Sequence, residues 1–169
     1  MKKIRANTVC LILLVLLFIW HFLLPKDFSS AARGLDPQAV TACVVEYYKQ
    51  EEAGKDPVLH RYEIDPSSPL YETLIQTLSS TQYRKQVSNM MGGGNRSGYT
   101  PSIDPYGILY LEQSDNTYTI LLYGKDMAFG KQDSRLTDFT PSDGDAFQTN
   151  LLAWVAQEAP EVAATTAVP

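Results

Sequence analysis

The distribution of apolar residues divides the chain into an N-terminal apolar segment and a longer part of mixed pattern. From Val9 to Leu24 every residue except His21 is apolar or aromatic. As a helix this stretch extends about 24 Å, or about 28 Å counted from Ala6, close to the roughly 30 Å hydrocarbon core of a bilayer. The pattern predicts a helical signal anchor over residues 1–25, with the membrane as its partner.

The charges and small residues around this segment predict its orientation and processing. Three basic residues lie among residues 2–5, and the positive-inside rule places such a flank in the cytoplasm. The rest of the chain is therefore expected outside the cell membrane after a single pass. Signal peptidase requires small residues at a spacing that occurs here in the pairs Ser29/Ala31 and Ser30/Ala32. The length of the apolar stretch favours retention, whereas cleavage near Ala31/Ala32 would release a secreted domain.

Runs of β-branched, aromatic and alternating residues predict the strands of one domain over residues 37–159. The run that begins at Gln38 is rich in such residues, although helical spacing also fits its apolar positions. Residues 58–64 alternate cleanly, so the two runs can form a hairpin. Turn residues separate three later runs, which predict a meander of the strands Tyr106–Gln113, Tyr118–Gly124 and Met127–Gly130.

Two amphipathic stretches predict helices. Ser68 is a suitable N-cap and Pro69 a suitable first helical residue for the apolar stripe from Leu70 to Leu78. Ser142 or Asp143 can cap a second helix. Its predicted buried stripe consists of Phe147, Leu151, Trp154 and Val155.

The order of these elements, ββα-βββα, predicts an α+β fold. Without alternation of strands and helices, the natural arrangement is a small antiparallel sheet with two helices packed on one face. Residues 26–36 lack periodicity and are predicted to be a linker between the anchor and the domain. Residues 160–169 are small and of low complexity, which predicts a disordered tail.

The charge of the exported part excludes one class of partner. After residue 32 the chain carries 10 basic and 18 acidic residues, a net charge of −8. Nucleic acids bind proteins through clustered Lys and Arg, and an acidic surface repels them. No nucleic-acid partner is predicted.

Few residues are suited to metal or nucleophilic chemistry. Cys10 lies in the apolar segment, and Cys43 lies in an apolar run where burial is expected. His60 is the sole histidine after the apolar segment, which excludes paired-histidine zinc spacing. Its strand parity places it on the core face. No catalytic residue, cofactor or metal site is predicted.

A glycine-rich stretch invites comparison with phosphate-binding loops. The glycine spacing over residues 93–100 matches GxxxxGK[ST], but Tyr99 occupies the lysine position. Pro101 follows where such a loop needs a helix N-terminus. These departures exclude nucleotide binding of this kind.

The candidate ligand-binding residues are Asn95, Arg96, Tyr99 and Tyr110. Long irregular stretches in compact domains are either functional or disordered, and residues 86–105 are the least regular part of this chain. Arg96 is suited to an anionic or carboxylate group, with Asn95 and Tyr99 beside it. Tyr110 belongs to the tyrosines of the meander, which either pair across strands or line a binding face.

Carboxylate-dependent hydrolysis is the enzymatic alternative. Glu46, Glu63, Asp104 and Glu112 supply acids, but sequence spacing does not give the separation of their carboxyl groups. A hydrolase is therefore less favoured than a binding or accessory function outside the membrane.

The layout of the chain resembles that of small membrane-tethered proteins of Gram-positive bacteria with no assigned function. An apolar N-terminal helix precedes the segments ACVVEYY, PLYETLIQTL and GILYLEQSDNTYTILLYG, and a closing helix follows. This resemblance implies a bacterial cell-surface location and carries over no functional residue. The expected function is a membrane-tethered extracytoplasmic binding or regulatory domain. The alternative is an accessory subunit that pairs with a larger cell-surface protein through a sheet edge.

Overall fold

An eight-stranded sheet organises the chain, and all its neighbouring strands are antiparallel. The computed structural model describes residues 2–51, 56–86, 106–132, 134–144 and 146–166. The strands are β1 (Val40–Lys49), β2 (Val58–Ile64), β3 (Tyr83–Lys85), β4 (Tyr106–Gln113), β5 (Asn116–Tyr123), β6 (Asp126–Lys131), β7 (Thr137–Pro141) and β8 (Glu161–Thr166). Their order in the sheet is β3-β7-β6-β5-β4-β1-β2-β8.

Four α-helices accompany the sheet in the described ranges. They are α1 (Lys2–Phe18), α2 (Phe28–Ala31), α3 (Pro69–Ser80) and α4 (Ala146–Glu158). A π turn over Ile19–Leu23 continues α1 directly, and a short 3₁₀ turn over Pro37–Ala39 leads into β1. The predicted α+β class and the predicted antiparallel sheet are confirmed.

The predicted hairpin and meander form the centre of the sheet. β1 pairs with β2 on one side and with β4 on the other, and β4, β5 and β6 follow one another as neighbours. The run after Gln38 is thus a strand, because its β-branched and aromatic residues are buried between two neighbours in a sheet.

The two predicted helices begin and pack as their sequences indicate. The Ser68 hydroxyl accepts a hydrogen bond from the Tyr71 backbone N–H at 3.3 Å, and Pro69 stands in the first turn of α3. In α4 the predicted stripe is buried except for Trp154, which is half-buried. Asp143, a predicted cap of α4, accepts a hydrogen bond from the Thr81 hydroxyl at the end of α3.

Helices α3 and α4 share one hydrophobic core with the sheet. Strand residues of one parity, such as Val45, Leu109 and Ile120, are completely buried beneath α3 and α4. α4 approaches closely at Gly107, where an added Cβ would lie 2.7 Å from the Leu152 Cδ2. A smaller cluster around Tyr106, Leu121, Tyr123 and Ala128 lies on the opposite face of the sheet.

The sheet has eight strands where the sequence predicts five. β3 is only three residues long, and β7 contains Asp138, so neither stands out as a strand pattern. The C-terminal segment differs from the predicted disordered tail, since residues 161–166 pair with β2 as β8. β8 pairs with the backbone groups along the outer side of β2. The sequence of the C-terminal segment by itself contains no sign of this partner.

The segment predicted as a linker also differs from expectation. The Asp27 carboxylate accepts a hydrogen bond from the Ser30 N–H at 2.8 Å and so caps α2. Phe28 and Ala31 of this single helical turn are buried in the main core. Residues 26–32 are therefore part of the folded domain.

Candidate functional site

Helix α1 and the π turn expose apolar side chains on every face. Each residue from Leu11 to Trp20 carries a large apolar side chain that is exposed. Ten consecutive positions cover almost three turns of helix, so no side of this helix is polar. Helices that are apolar all round are stable when a protein core or a lipid phase covers them. Neither α1 nor any other helix of the described ranges is, by itself, long and apolar enough to cross a membrane.

The chain that follows this helix is joined to the sheet by backbone hydrogen bonds. The Lys26 N–H donates to the Tyr83 carbonyl at 2.8 Å, and the Tyr83 N–H donates to the Lys26 carbonyl at 2.7 Å. These bonds extend the sheet by one residue pair beyond β3. The end of the apolar segment is therefore held against the edge of the domain.

Aromatic packing reinforces this junction. The Phe28 ring lies 6.3 Å from the Tyr83 ring and 6.2 Å from the Phe129 ring, measured between centroids. The Tyr83 hydroxyl donates to the Leu78 carbonyl at 2.7 Å, which links α3 to the same cluster. Ala32 is 1% exposed. Removal of this segment would open a cavity in the main core.

A group of basic side chains surrounds the junction. The Lys85 Nζ lies 2.8 Å from the His21 Nε2, and since an ammonium group has only protons to donate, the imidazole nitrogen accepts. Lys26 lies beside them, whereas Arg84, the preceding residue of the strand, is exposed and has the opposite strand parity. Burial and the neighbouring charge of Lys26 hold the pKa of Lys85 below its usual value. Positive charge is thus concentrated where the apolar helix meets the domain.

Tyr110 lies on the sheet face opposite the helices and is half-buried. Its side chain is hydrogen-bonded to the Glu46 carboxylate on the neighbouring strand, and that carboxylate lies 3.8 Å from the Arg61 Nη1. Burial, together with the negative charge of Glu46, raises the pKa of Tyr110 to about 12. The hydroxyl remains protonated at neutral pH and serves as a donor.

The other meander tyrosines are buried rather than exposed on a binding face. Tyr106 and Tyr123 face each other across β4 and β5 and are buried. The Tyr106 ring meets the Tyr48 ring edge-on at 5.3 Å, and the Tyr123 hydroxyl donates to the Asp138 Oδ1 at 2.9 Å. Tyr118 lies in the main core. Of the four, Tyr110 alone is not fully buried.

An open cleft of about 700 Å³ lies at the corner of the sheet near the end of β2. It includes Arg61, Glu63 and Glu112 from the face that carries Tyr110. Asp65 also lines it, but its carboxylate accepts hydrogen bonds from the Ser67 N–H and hydroxyl, both at 2.8 Å. β1 separates the strands of Glu63 and Glu112, so their backbones are roughly 10 Å apart.

His60 lies on the core side of β2, as its strand parity predicts. Its ring stacks on Tyr62 at 6.4 Å, and its Nδ1 lies 2.8 Å from the Glu161 Oε1 on β8. Its Nε2 lies 3.5 Å from the Glu51 Oε1. His60 thus links β2 to β8 through Glu161 and to the residues after β1 through Glu51.

Cys43 is buried in the main core. Burial raises the pKa of the Cys43 thiol to about 12, so the reactive thiolate is negligible at neutral pH. Among the same residues, no three His, Cys, Asp or Glu side chains come together in a group suited to a metal ion.

The candidate residues Asn95, Arg96 and Tyr99 lie outside the described residues, so Tyr110 is the one that the structure places. The basic junction was not predicted. Lys26 could have been noted from its position after the apolar segment, but Lys85 joins it only through the pairing of β3. Comparisons with protein-family models, with curated proteins and with solved structures found no match.

Proposed function

We propose that this chain is a membrane-tethered extracytoplasmic binding or regulatory domain. The observation that carries the proposal is an apolar helix, exposed on every face, whose C-terminal end is built into the folded domain. Large apolar surfaces of this kind are covered in the functional state. A lipid phase is the partner that covers all sides of one helix, and α1 with the π turn provides an unbroken helical segment for insertion.

The orientation follows from the basic residues at the start of the chain. Lys2, Lys3 and Arg5 precede the apolar residues, and such flanks stay in the cytoplasm. The domain from Lys26 onward then lies outside.

The packing of the junction favours a retained anchor over a secreted product. Ala31 and Ala32, the small residues that a signal peptidase would need, are 6% and 1% exposed. Cleavage beside them would also separate Phe28 from the core. Loss of a buried phenylalanine side chain costs about 3–5 kcal/mol of folding free energy. Folding of the domain therefore protects its own attachment to the membrane.

Membrane fractionation of the full-length protein with a C-terminal tag tests the tether. The protein should resist alkaline extraction, and protease added to intact cells should remove the tag. Leu13→Arg with Leu16→Arg should abolish alkali-resistant attachment, because both side chains are exposed on α1. Gln76→Arg with Ser79→Arg, which adds the same charge on the exposed side of α3, is the matched control. Extraction of the unmodified protein by alkali would overturn the proposal.

Cleavage is tested by the size of the mature chain. The unmodified protein should keep its full length, whereas Phe28→Ala should expose residues 29–32 and yield a shorter product. Arg33→Ala, at an exposed position, should remain intact. A mature N-terminus near Ala32 in the unmodified, folded protein would show that the anchor is removed.

The sheet edge favours a second candidate function, an accessory subunit of a larger surface protein. β8 is the last strand of the sheet, and Val162 on it is 50% exposed. Photo-crosslinking residues placed in cells at Val162 and at Glu112 distinguish the two surfaces. One dominant protein captured from Val162 would favour edge pairing, and capture from Glu112 would favour the face that carries Tyr110.

A further inference from the structure

We infer that the junction of Lys26 and Lys85 binds the phosphate group of an anionic lipid. This inference rests on the proposed membrane tether and names the lipid chemistry that the tether recognises. The two cations come from separate segments, which the backbone bonds between Lys26 and Tyr83 hold side by side. Phosphate groups bind where Lys and Arg side chains converge.

The depth of these cations matches that of lipid head groups. The apolar segment ends at Leu24, and Trp20, which is 67% exposed, lies one turn before that end. Exposed tryptophans of membrane proteins settle at the level of the head groups. Lys26 follows two residues after the last apolar residue, and Lys85 reaches back to His21. The ammonium groups therefore lie beside the point where the helix leaves the lipid.

The geometry of the site is set by the fold rather than by flexible side chains alone. β3 packs against the π turn, and Lys85 is half-buried with a pKa held below its usual value by burial and by the charge of Lys26. Two like charges held close together favour an anion near both of them. The carboxylate of Asp27, the neighbouring acid, is engaged as the cap of α2. Little reorganisation is then needed on binding.

The negative charge of the rest of the domain explains why a lipid-binding site at β3 would orient the domain relative to the membrane. The chain after residue 32 has a net charge of −8, and anionic head groups repel it. β3 forms one edge of the sheet, and β2, which borders the cleft, is six strands away. The cleft extends from β2 to Glu112 on β4, so at about 4.8 Å per strand it lies roughly 20–30 Å from the lipid-binding edge. Lipid binding at β3 therefore keeps the cleft away from that edge.

Mass spectrometry of the intact full-length protein, released from membranes with bound lipid, tests the inference. Phosphatidylglycerol and phosphatidylcholine are the probes, supplied at equal concentration. Lys26→Gln with Lys85→Gln should weaken phosphatidylglycerol binding about 30-fold, since each lysine near an anionic surface contributes about 1 kcal/mol. Lys26→Arg with Lys85→Arg should preserve it. Lys49→Gln with Lys125→Gln, at two exposed positions, removes the same charge and should have no effect.

Three results would overturn the inference. Equal retention of the two lipids by the unmodified protein would show that the net negative charge of the head group is not recognised, because both lipids carry a phosphate group. Equal losses in the junction variant and in the Lys49/Lys125 control would show an effect of net charge only. Displacement of the lipid by millimolar inorganic phosphate would assign the site to a soluble anion. Failure of the tether itself is separate, because the protein would then not float with vesicles of either lipid.

Discussion

At the scale of single residues, one buried polar side chain lowers the stability of the folded protein. Gln148 on α4 is completely buried, and neither its Nε2 nor its Oε1 has a hydrogen-bond partner among the described residues. A buried polar group without a partner costs about 1–3 kcal/mol relative to an apolar group of the same shape. Methionine has a similar length and no polar group that needs a partner.

Gln148→Met should therefore stabilise the protein by about 1–3 kcal/mol, measured as the free energy of unfolding in urea. Gln157→Met, at an exposed position of the same helix, should leave stability almost unchanged. A decrease in stability for Gln148→Met would mean that this amide makes a favourable interaction that its position does not reveal.

Gly107 lets α4 pack closely against the sheet, because glycine has no Cβ at this position. An added Cβ would lie 2.7 Å from the Leu152 Cδ2 and 3.1 Å from the Glu46 carbonyl oxygen. Gly107→Ala should destabilise the protein by about 1–3 kcal/mol through overpacking. In a Leu152→Ala background the same change should cost less, because the clashing methyl group is gone. An equal cost in both backgrounds, measured by urea unfolding, would place the origin of the effect elsewhere.

Residue positions within strands could largely be predicted from the sequence. Strand parity placed His60 on the core side, and local composition placed Cys43 in the interior. The partners of these residues could not be predicted. Glu161, which His60 contacts at 2.8 Å, lies 101 positions later in a segment that was predicted to be a disordered tail.

At the scale of elements, β8 depends on a small number of contacts. Within the described ranges β8 pairs only with β2, and the bond between His60 and Glu161 joins the two strands near the start of β8. Glu161→Ala should reduce the protection of the β8 amides against hydrogen exchange by about 2–10-fold, since one such bond contributes about 0.5–1.5 kcal/mol.

Glu158→Ala, at an exposed position near the end of α4, provides the matched control for β8. Its exchange pattern should equal that of the unmodified protein. Unchanged protection of β8 in Glu161→Ala would show that backbone pairing with β2 is sufficient to hold the strand.

Long, regular elements were predictable, and short ones were not. α3 and the strands β1, β2, β4, β5 and β6 carry their own periodicity, so the sequence indicates them directly. β3 and α2 contain three and four residues, too few for any period to be visible. Their structure depends on partners such as Tyr83 and Phe129, which other parts of the chain supply.

At the scale of the whole molecule, buried tyrosines predict a loss of stability in alkali. Burial raises the pKa values of Tyr106, Tyr110 and Tyr118 to about 12. Between pH 10 and 12 the unfolded chain loses these protons while the folded protein keeps them. The contribution of the tyrosines to the free energy of unfolding is therefore fully present well below pH 10 and is lost as the pH rises towards 12. Each tyrosine contributes about 1 kcal/mol of this loss between pH 9 and 11.

Urea unfolding at pH 9 and pH 11 measures this loss. Tyr118→Phe removes one ionisable group, so the variant should lose about 1 kcal/mol less than the unmodified protein over this interval. The difference between the two proteins cancels the contribution of lysines, which titrate in the same range. An identical loss would show that Tyr118 does not resist ionisation in the folded state.

The sequence by itself determined the α+β class, the antiparallel sheet, the long elements and the apolar character of the first helix. These features are local, since each follows from the periodicity or composition of a continuous stretch. The tertiary structure alone decided that residues 26–32 belong to the core, that the C-terminal segment forms the last strand of the sheet, and that Lys85 lies near Lys26 at the end of the apolar helix. Those features depend on contacts between distant segments, and such contacts form only when the sheet brings their backbones together.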